Sequence, residues 1–203
     1  RLGLTATYER EDNLHVDFPR LVGGIVYQSS VNELARDKHL ASFTVEKRYV
    51  KLLPEEELEY QKNYDQYLSY LHKLGIRYDQ IGFQKLIMIS GKNQYARNAL
   101  LARNKALDIA LNSQSKIAEL RKILSENPNR KTIIFTQRSK LVYLISNNFL
   151  IPFITHKSSK QEREDALNGF RDGRYRVLVT SKVLDEGVDV PDAELGIIVS
   201  GTG

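Results

Sequence analysis

Short apolar runs alternate with helical patterns along the second half of the chain. After the first run, Leu141, Leu144, Ile145 and Phe149 recur at the spacing of one helical face. The runs themselves are nearly continuous, as is typical of strands buried on both faces of a parallel sheet. This pattern predicts an α/β layer of strand, helix and strand units. The predicted strands are 132–136, 152–155, 177–180 and 195–199.

One helix of this layer carries clear start and stop signals. Ser159 is followed three residues later by Glu162, which is the signature of a capping box. The apolar pattern continues to Phe170, and Gly173 fits the end of the helix.

The middle of the chain follows helical spacing without strand-like interruptions. A helix is predicted from Pro54, with acidic residues in its first turn, to a stop at Gly75. Two further helices are predicted over 79–89 and 94–111. We therefore predict an all-helical insertion over 54–112.

Two further strands are predicted before the insertion. Residues 43–52 partly alternate between apolar and polar positions, and this strand is expected to pair with the later sheet across the insertion. Residues 2–7 form the other candidate, and its position at the start suggests that the chain enters in the middle of a domain.

Composition narrows the class of protein. The 203 residues carry a formal net charge of +5 and contain no cysteine. Zinc–cysteine modules, thiol nucleophiles and disulfide scaffolds are therefore excluded. No apolar run approaches the roughly 20 residues that span a bilayer, so we expect a cytoplasmic protein. The positive charge is compatible with a polyanionic partner without requiring one.

The segment 180–191 combines small hydroxyl residues, a glycine and carboxylates at the end of a buried strand. In open α/β sheets this edge is where ligands bind, and backbone amides there can hold a phosphate. On spacing alone, an ordinary strand-to-helix turn with a solvated acidic helix is the favoured interpretation.

Four segments in order resemble the motifs of superfamily 2 helicases. Residues 1–7 resemble motif III, 133–136 motif IV, 154–158 the following motif IVa, and 177–193 motif V. Within the superfamily, the Arg-Glu-Asp triplet at 10–12, the helical insertion and the run 169–173 resemble the XPB branch. The lack of large eukaryotic extensions suggests a prokaryotic member, associated with the nucleoid when acting.

This resemblance implies a fold and a domain arrangement. XPB-like proteins have two RecA-like lobes, each with a parallel sheet, that clamp ATP between them. Residues 1–42 would be the tail of the first lobe, and 43–53 together with 113–203 would form the second lobe. The insertion at 54–112 would be the thumb-like element of the family.

The resemblance also implies roles for individual residues, each carried over from the matching motif. Motif III would couple the state of ATP to DNA through Thr5, Ala6 and Thr7. The triplet implicated in unwinding is Arg10, Glu11 and Asp12, which otherwise reads as a charged surface turn. Nucleic acid would be contacted by Thr136, Gln137, His156, Thr180 and Ser181. The nucleotide would face Glu186, Gly187 and Asp189.

Several motifs of a complete motor do not occur in the sequence. There is no P-loop to cradle phosphates, no preceding acidic motif to hold magnesium, and no arginine-bearing motif VI. We therefore expect a fragment of an ATP-dependent 3′-to-5′ DNA helicase or translocase of the nucleotide excision repair type. ATP and Mg²⁺ would be bound mainly outside it, and alone it would be inactive.

Other readings stay open. The chain could be a non-enzymatic docking or DNA-binding module for a nuclease partner, or belong to an RNA helicase or a duplex translocase. The tyrosine stripe on the first insertion helix could stack on bases or pack in a core. Lys92, Arg97, Arg103 and Lys105 could follow a phosphate backbone or form a solvated face. The scattered histidines predict no metal site, and no hydrolase triad is evident.

Overall fold

The computed structural model of the chain describes residues 3, 5, 8–9, 14–29, 33, 43–181 and 193–199. The chain divides into two compact units, 1–48 and 49–203. In the first unit, a 3-10 turn at Leu14–Asp17 leads into the short helix α1, Phe18–Val22. The Tyr8 ring meets the His15 and Phe18 rings edge-on, with centroids 5.9 and 5.8 Å away.

Three helices in the second unit form the helical insertion, residues 54–112. They are α2 at Pro54–Lys73, α3 at Gln80–Ser90 and α4 at Gln94–Leu111, so the predicted helices are confirmed. Side chains cap two of them: the Asp79 carboxylate accepts from Gly82 N at 2.7 Å, and Asn93 Oδ1 accepts from Ala96 N at 3.1 Å. None of the helices in the described part of the chain combines the length and the apolar character needed to span a bilayer.

The helical insertion has its own core. Along α4, alanines at 96, 99 and 102 recur on one face and are buried. Small side chains let α4 approach α2 closely, and they pack there with Tyr67 and Leu71. Leu86 of α3 closes this core and is fully buried.

The remainder of the second unit, which we call the sheet lobe (residues 113–199), is a four-stranded parallel sheet. Its strands are β1 at Thr132–Thr136, β2 at Phe153–Ile154, β3 at Val177–Ser181 and β4 at Leu195–Ile198, in the order β2-β3-β1-β4. The helices of this lobe are α5 at Gln114–Glu126, α6 at Ser139–Phe149 and α7 at Lys160–Arg171. The four predicted strands and two of the helices are confirmed, whereas α5 was not among the predicted helices.

Helices cover both faces of the sheet, as the continuous apolar runs predicted. On one face, Ile134 and Val179 pack against Leu120 of α5 and Ile145 of α6. On the other face, Ile133 and Leu178 pack against Phe170 of α7. The strands therefore contribute alternate residues to two cores, which is the three-layer arrangement of an α/β domain.

The strand predicted over 43–52 is wrong. These residues form no helix or strand, and the sheet does not include them. The side chains of Phe43, Val45 and Tyr49 are all exposed, so the alternation creates no buried apolar face that pairing would stabilise. Most of the strand predicted over 2–7 lies outside the described residues.

Candidate nucleic-acid interface

Residues predicted to contact nucleic acid lie at the carboxyl edge of the sheet, where parallel strands end together. Thr136, the last residue of β1, is in register with Ser181, the last residue of β3. Ile154, which ends β2, is in register with Thr180. The segments that follow β1 and β2 begin at this same edge, which is where α/β sheets place their ligand contacts.

The loop after β1 is fixed by one carbonyl group. Arg138 O accepts hydrogen bonds from Thr136 Oγ1 at 3.0 Å, Leu141 N at 3.0 Å and Val142 N at 3.2 Å. The Thr136 side chain is only 3% exposed, so its hydroxyl serves to shape the loop. Gln137, half-buried, lies at the apex between the two anchored residues.

The turn after β2 is held by an arginine from α7. Arg163 donates to three carbonyl oxygens of this turn: from Nε to Ser158 O at 3.1 Å, and from Nη2 to Thr155 O at 3.3 Å and His156 O at 3.4 Å. The exposed His156 ring lies beside the start of α6, with Nδ1 3.2 Å from Ser139 Oγ. The side chains of His156 and Ser139 thus connect the turn after β2 to the segment after β1.

The end of β3 contains two buried hydroxyl groups. Thr180 Oγ1 donates to Ser181 O at 2.8 Å. Ser181 Oγ is buried and has no hydrogen-bond partner among the described residues. A buried hydroxyl without a partner is unfavourable, and such groups often identify a place where a ligand atom or water binds.

The other predicted site residues mostly lie outside the described part of the chain. Thr5 lies within the described residues, where it is exposed and interacts with another group of the chain. The residues outside the described ranges are Ala6, Thr7, Arg10, Glu11, Asp12, Glu186, Gly187 and Asp189.

The tyrosines of α2 pack mainly within the helical insertion. Tyr67 is buried in its core, and the Tyr60 and Tyr64 rings stack with centroids 5.7 Å apart. The Tyr64 hydroxyl donates to the Tyr78 hydroxyl at 3.2 Å, which raises the pKa of Tyr64 to about 12. Of the two roles left open by the sequence, packing is the one that these contacts favour.

The four cations singled out on α4 and before it have different environments. The Arg103 guanidinium lies 4.2 Å from the centroid of the Phe83 ring, and Lys105 pairs with Glu59 at 2.6 Å. Lys92 and Arg97 are exposed near the turn between α3 and α4. The last two are therefore the better placed to meet a phosphate backbone.

Arg138 and Arg163 were missed as site residues. Arg138 contacts the carboxylate of Asp108, which is distant in sequence, and Arg163 contacts carbonyl groups of the turn before its own helix. No residue spacing indicates either contact. Among the described residues, no group of three or more histidine, aspartate or glutamate side chains could hold a metal ion.

Comparison with known proteins shows similarity to helicases and translocases. Residues 115–202 match the helicase conserved C-terminal domain. The DNA 3′-5′ translocase XPB2 of Sulfurisphaera tokodaii is 48% identical over 204 residues, covering all of this chain and 46% of the relative. The DNA 3′-5′ helicase XPB of Mycobacterium tuberculosis is 31% identical over 88 residues, 43% of this chain and 16% of that protein. The chain thus spans less than half the length of these relatives.

Among solved structures, the fold resembles the SWI2/SNF2 ATPase core of Sulfolobus solfataricus in complex with double-stranded DNA. The TM-score is 0.55 at 19% identity, over 73% of this chain and 33% of the other. This likeness shows that the sheet and its helices have a RecA-like fold. Its identity to XPB2 over the whole of this chain and its match to the helicase conserved C-terminal domain make the chain similar to part of an XPB-like superfamily 2 helicase.

Proposed function

We propose that the chain supplies nucleic-acid contacts to an ATP-driven DNA translocase or helicase of 3′-to-5′ polarity that acts in DNA repair. The observation that carries this proposal is the convergence of the β1, β2 and β3 ends at one edge of the sheet. An exposed pair of cations, Lys92 and Arg97, adds a second place for phosphates on the helical insertion. The relatives named above support DNA as the substrate and the polarity.

Each residue at the sheet edge receives a defined role in this proposal. Gln137 and His156 lie in turns that hydrogen bonds already hold, so they bind the DNA backbone at a low cost of ordering. Ser181 Oγ, which lacks a partner among the described residues, donates to a phosphate oxygen. Thr136 and Thr180 hold the ends of their strands in shape.

The residues that we propose to face ATP or to couple it to DNA lie mostly outside the described ranges. Glu186, Gly187 and Asp189 would face ATP, and Thr5, Ala6 and Thr7 would couple its state to DNA. Because the 203 residues contain no P-loop, the phosphates and Mg²⁺ would be held mainly by other parts of the protein. ATP, when bound, supplies the free energy that drives lobe closure.

DNA binding by the chain tests the proposal directly. We expect labelled forked DNA to bind with an affinity that falls steeply with salt, because phosphate contacts release counterions. Gln137→Ala should weaken binding about three- to tenfold, as for one lost hydrogen bond, with the salt slope unchanged. Lys92→Ala should lower the salt slope by about one.

The matched control for Lys92→Ala is Lys122→Ala. Lys122 is an exposed lysine on α5, near the amino ends of the strands, where it lies 4.0 Å from Glu126. Its removal should leave affinity and slope unchanged. Two results would contradict the proposal that the sheet edge and the helical insertion bind DNA. One is that the chain binds no DNA, and the other is that Lys122→Ala weakens binding as much as Lys92→Ala does.

ATP hydrolysis is expected to differ between the chain alone and the full-length protein. The chain alone should show no DNA-stimulated ATP hydrolysis, since it lacks the P-loop. In the full-length protein, replacing Arg10, Glu11 and Asp12 with alanine should reduce strand separation far more than ATP hydrolysis. Equal loss of both activities, measured on one preparation, would indicate a folding or nucleotide-site defect instead.

A second candidate function is protein docking, and one observation favours it. On α3, the side chains of Ile81, Ile87 and Met88 are 76, 49 and 82% exposed, so this short helix presents apolar surface to solvent. We propose that a protein partner, such as a nuclease, uses this surface. Met88→Lys should abolish partner binding in the full-length protein and spare forked-DNA binding, whereas loss of DNA binding instead would assign the surface to DNA.

A further inference from the structure

An ion pair joins the helical insertion to the loop after β1. The Arg138 guanidinium contacts the Asp108 carboxylate, and the two side chains are 37 and 41% exposed. Asp108 lies in the last turn of α4, whereas Arg138 directly follows Gln137 at the sheet edge. The pair therefore connects two elements that the proposed function assigns to the same nucleic acid.

The lobe end of this connection is rigid. The carbonyl of Arg138 accepts three hydrogen bonds, from the end of β1 and the start of α6. Its guanidinium thus extends from a fixed backbone, and a force on the side chain acts on the loop that carries Gln137. Exposed ion pairs contribute little to stability. An ion pair at this position can still fix the orientation of the loop relative to α4.

The insertion end is joined to the lobe through a narrow root. The carboxylate of Glu56 accepts from Leu53 N at 3.1 Å and from Gln114 N at 2.8 Å, so it ties the entry of the insertion to its exit. At the exit, Asn112 Oδ1 and Ser113 Oγ are buried without partners among the described residues. The Asn112 side chain is held to α4 instead, by a hydrogen bond from Nδ2 to Asp108 O at 2.9 Å.

We propose that Arg138 and Asp108 are positioning residues that couple the orientation of the helical insertion to the Gln137 loop. When DNA binds the cations of the insertion, the pair sets the loop in the orientation that binds the same DNA. Such coupling is reciprocal, so contacts at the loop equally favour contacts at the insertion. This inference rests on the proposed function for its ligand.

Hydrogen exchange on the chain without DNA provides the first test. Asp108→Asn should raise exchange of the amides at 137–142, about 30 positions away in sequence, while β1 and the core of the insertion stay protected. Arg138→Gln should in turn raise exchange at 108–113. The control is Glu59→Gln, which breaks a somewhat more exposed ion pair to Lys105, one turn earlier on α4 but wholly within the insertion.

Forked-DNA affinity provides the second test, through a double-mutant cycle. Gln137→Ala and Arg97→Ala are measured singly and together, in the wild-type chain and in the Asp108→Asn chain. We expect the two sites to be coupled by about fivefold in the wild-type background, the low end for linked sites, and to be independent in the Asp108→Asn background. The swapped pair, Asp108→Arg with Arg138→Asp, should restore the coupling.

The results separate this inference from the proposed function. Unchanged exchange at 137–142 in the Asp108→Asn chain, or a coupling factor that survives loss of the pair, overturns the inference. An effect of Glu59→Gln equal to that of Asp108→Asn also overturns it, because a general loosening of α4 would then suffice. If no variant binds DNA, the proposed function fails, and the exchange experiment alone decides the coupling.

Discussion

The helical insertion and the sheet lobe bury their cores by different means. In the insertion, alanines of α4 at 96, 99 and 102 meet Tyr67 and Leu71 of α2, so small residues on one helix accommodate large ones on the other. The sheet lobe instead buries strand residues such as Ile134 and Leu178 between helices that are distant in sequence. The insertion depends on local contacts, whereas the lobe depends on the pairing of remote strands.

This difference has a functional meaning. A helical element with its own core can change its orientation on the lobe without loss of internal packing. In the coupling that we propose, the polar contacts between Glu56 and Gln114 and between Arg138 and Asp108 govern that orientation. The sheet lobe provides the rigid edge against which such movement acts.

The largest expected effect tests whether the sheet lobe can unfold while the helical insertion stays folded. Phe170 is fully buried beneath Ile133 and Leu178, so Phe170→Ala should lower the free energy of unfolding of the lobe by about 3–5 kcal/mol. Hydrogen exchange should rise across the sheet while α2 and α4 keep their protection. Equal loss of protection in both regions would mean that they unfold as one unit, contrary to the comparison.

The converse experiment weakens the insertion. A Cβ at Gly82 would overlap the carbonyl group of Arg77, so Gly82→Ala forces the start of α3 to shift. We expect a loss of about 1–3 kcal/mol, as for other overpacked sites, measured as faster exchange in the insertion with the sheet unaffected.

Gly91 provides the control for this substitution. It follows α3 with φ −65° and ψ −29°, and a Cβ there would meet no atom within 4 Å. Gly91→Ala should therefore leave the insertion as stable as before or raise its free energy of unfolding by about 0.4–1 kcal/mol. A loss as large as that from Gly82→Ala would mean that the Arg77 overlap is not the cause.

Sequence patterns predicted the elements of the sheet lobe well, and the reasons are local. Strands buried on both faces are continuous apolar runs, and Ser159 with Glu162 forms the predicted capping box. The strand predicted at 43–52 was wrong because its alternation has no buried face to satisfy. The pattern alone could not reveal that absence, since it depends on tertiary packing.

The candidate site was predicted in part. Strand ends identified the positions of Thr136, Ser181 and His156, because parallel strands share a carboxyl edge. The inward hydrogen bond of Thr136 and the contacts of Arg163 join nearby residues but depend on the conformation of the turns, whereas Arg138 contacts Asp108, which is distant in sequence. The assigned roles toward DNA and ATP stay predictions.

A smaller effect concerns the capping box that begins α7. Ser159 Oγ accepts from Glu162 N at 3.2 Å, and the Glu162 carboxylate accepts from Ser159 N at 2.7 Å, which lowers the pKa of Glu162. Ser159→Ala should lower the free energy of unfolding by about 1 kcal/mol. Urea unfolding at neutral pH measures this loss, with the exposed Gln161→Ala on the same helix as the control.

The same capping box predicts a dependence on acid pH. Since the pKa of Glu162 is lowered by folding, its stabilisation is complete above the ordinary pKa of a glutamate and is lost as pH falls through the lowered value. Glu162→Gln should therefore flatten the acid side of the stability profile of the lobe. An unchanged slope would mean that other carboxylates govern acid unfolding.

The smallest expected effect is a loss of stability at alkaline pH that is confined to the helical insertion. The Tyr64 hydroxyl donates to Tyr78, and this hydrogen bond raises the pKa of Tyr64 to about 12. Because the folded-state pKa exceeds the ordinary value of about 10, the stabilisation is complete below pH 10 and is lost as pH rises toward 12. Tyr78→Phe removes the acceptor, so tyrosinate absorbance should then show Tyr64 ionising nearer pH 10. Alkaline exchange should increase first around α2 and α3, and an equal increase in β1 and β3 would contradict a separate response of the insertion.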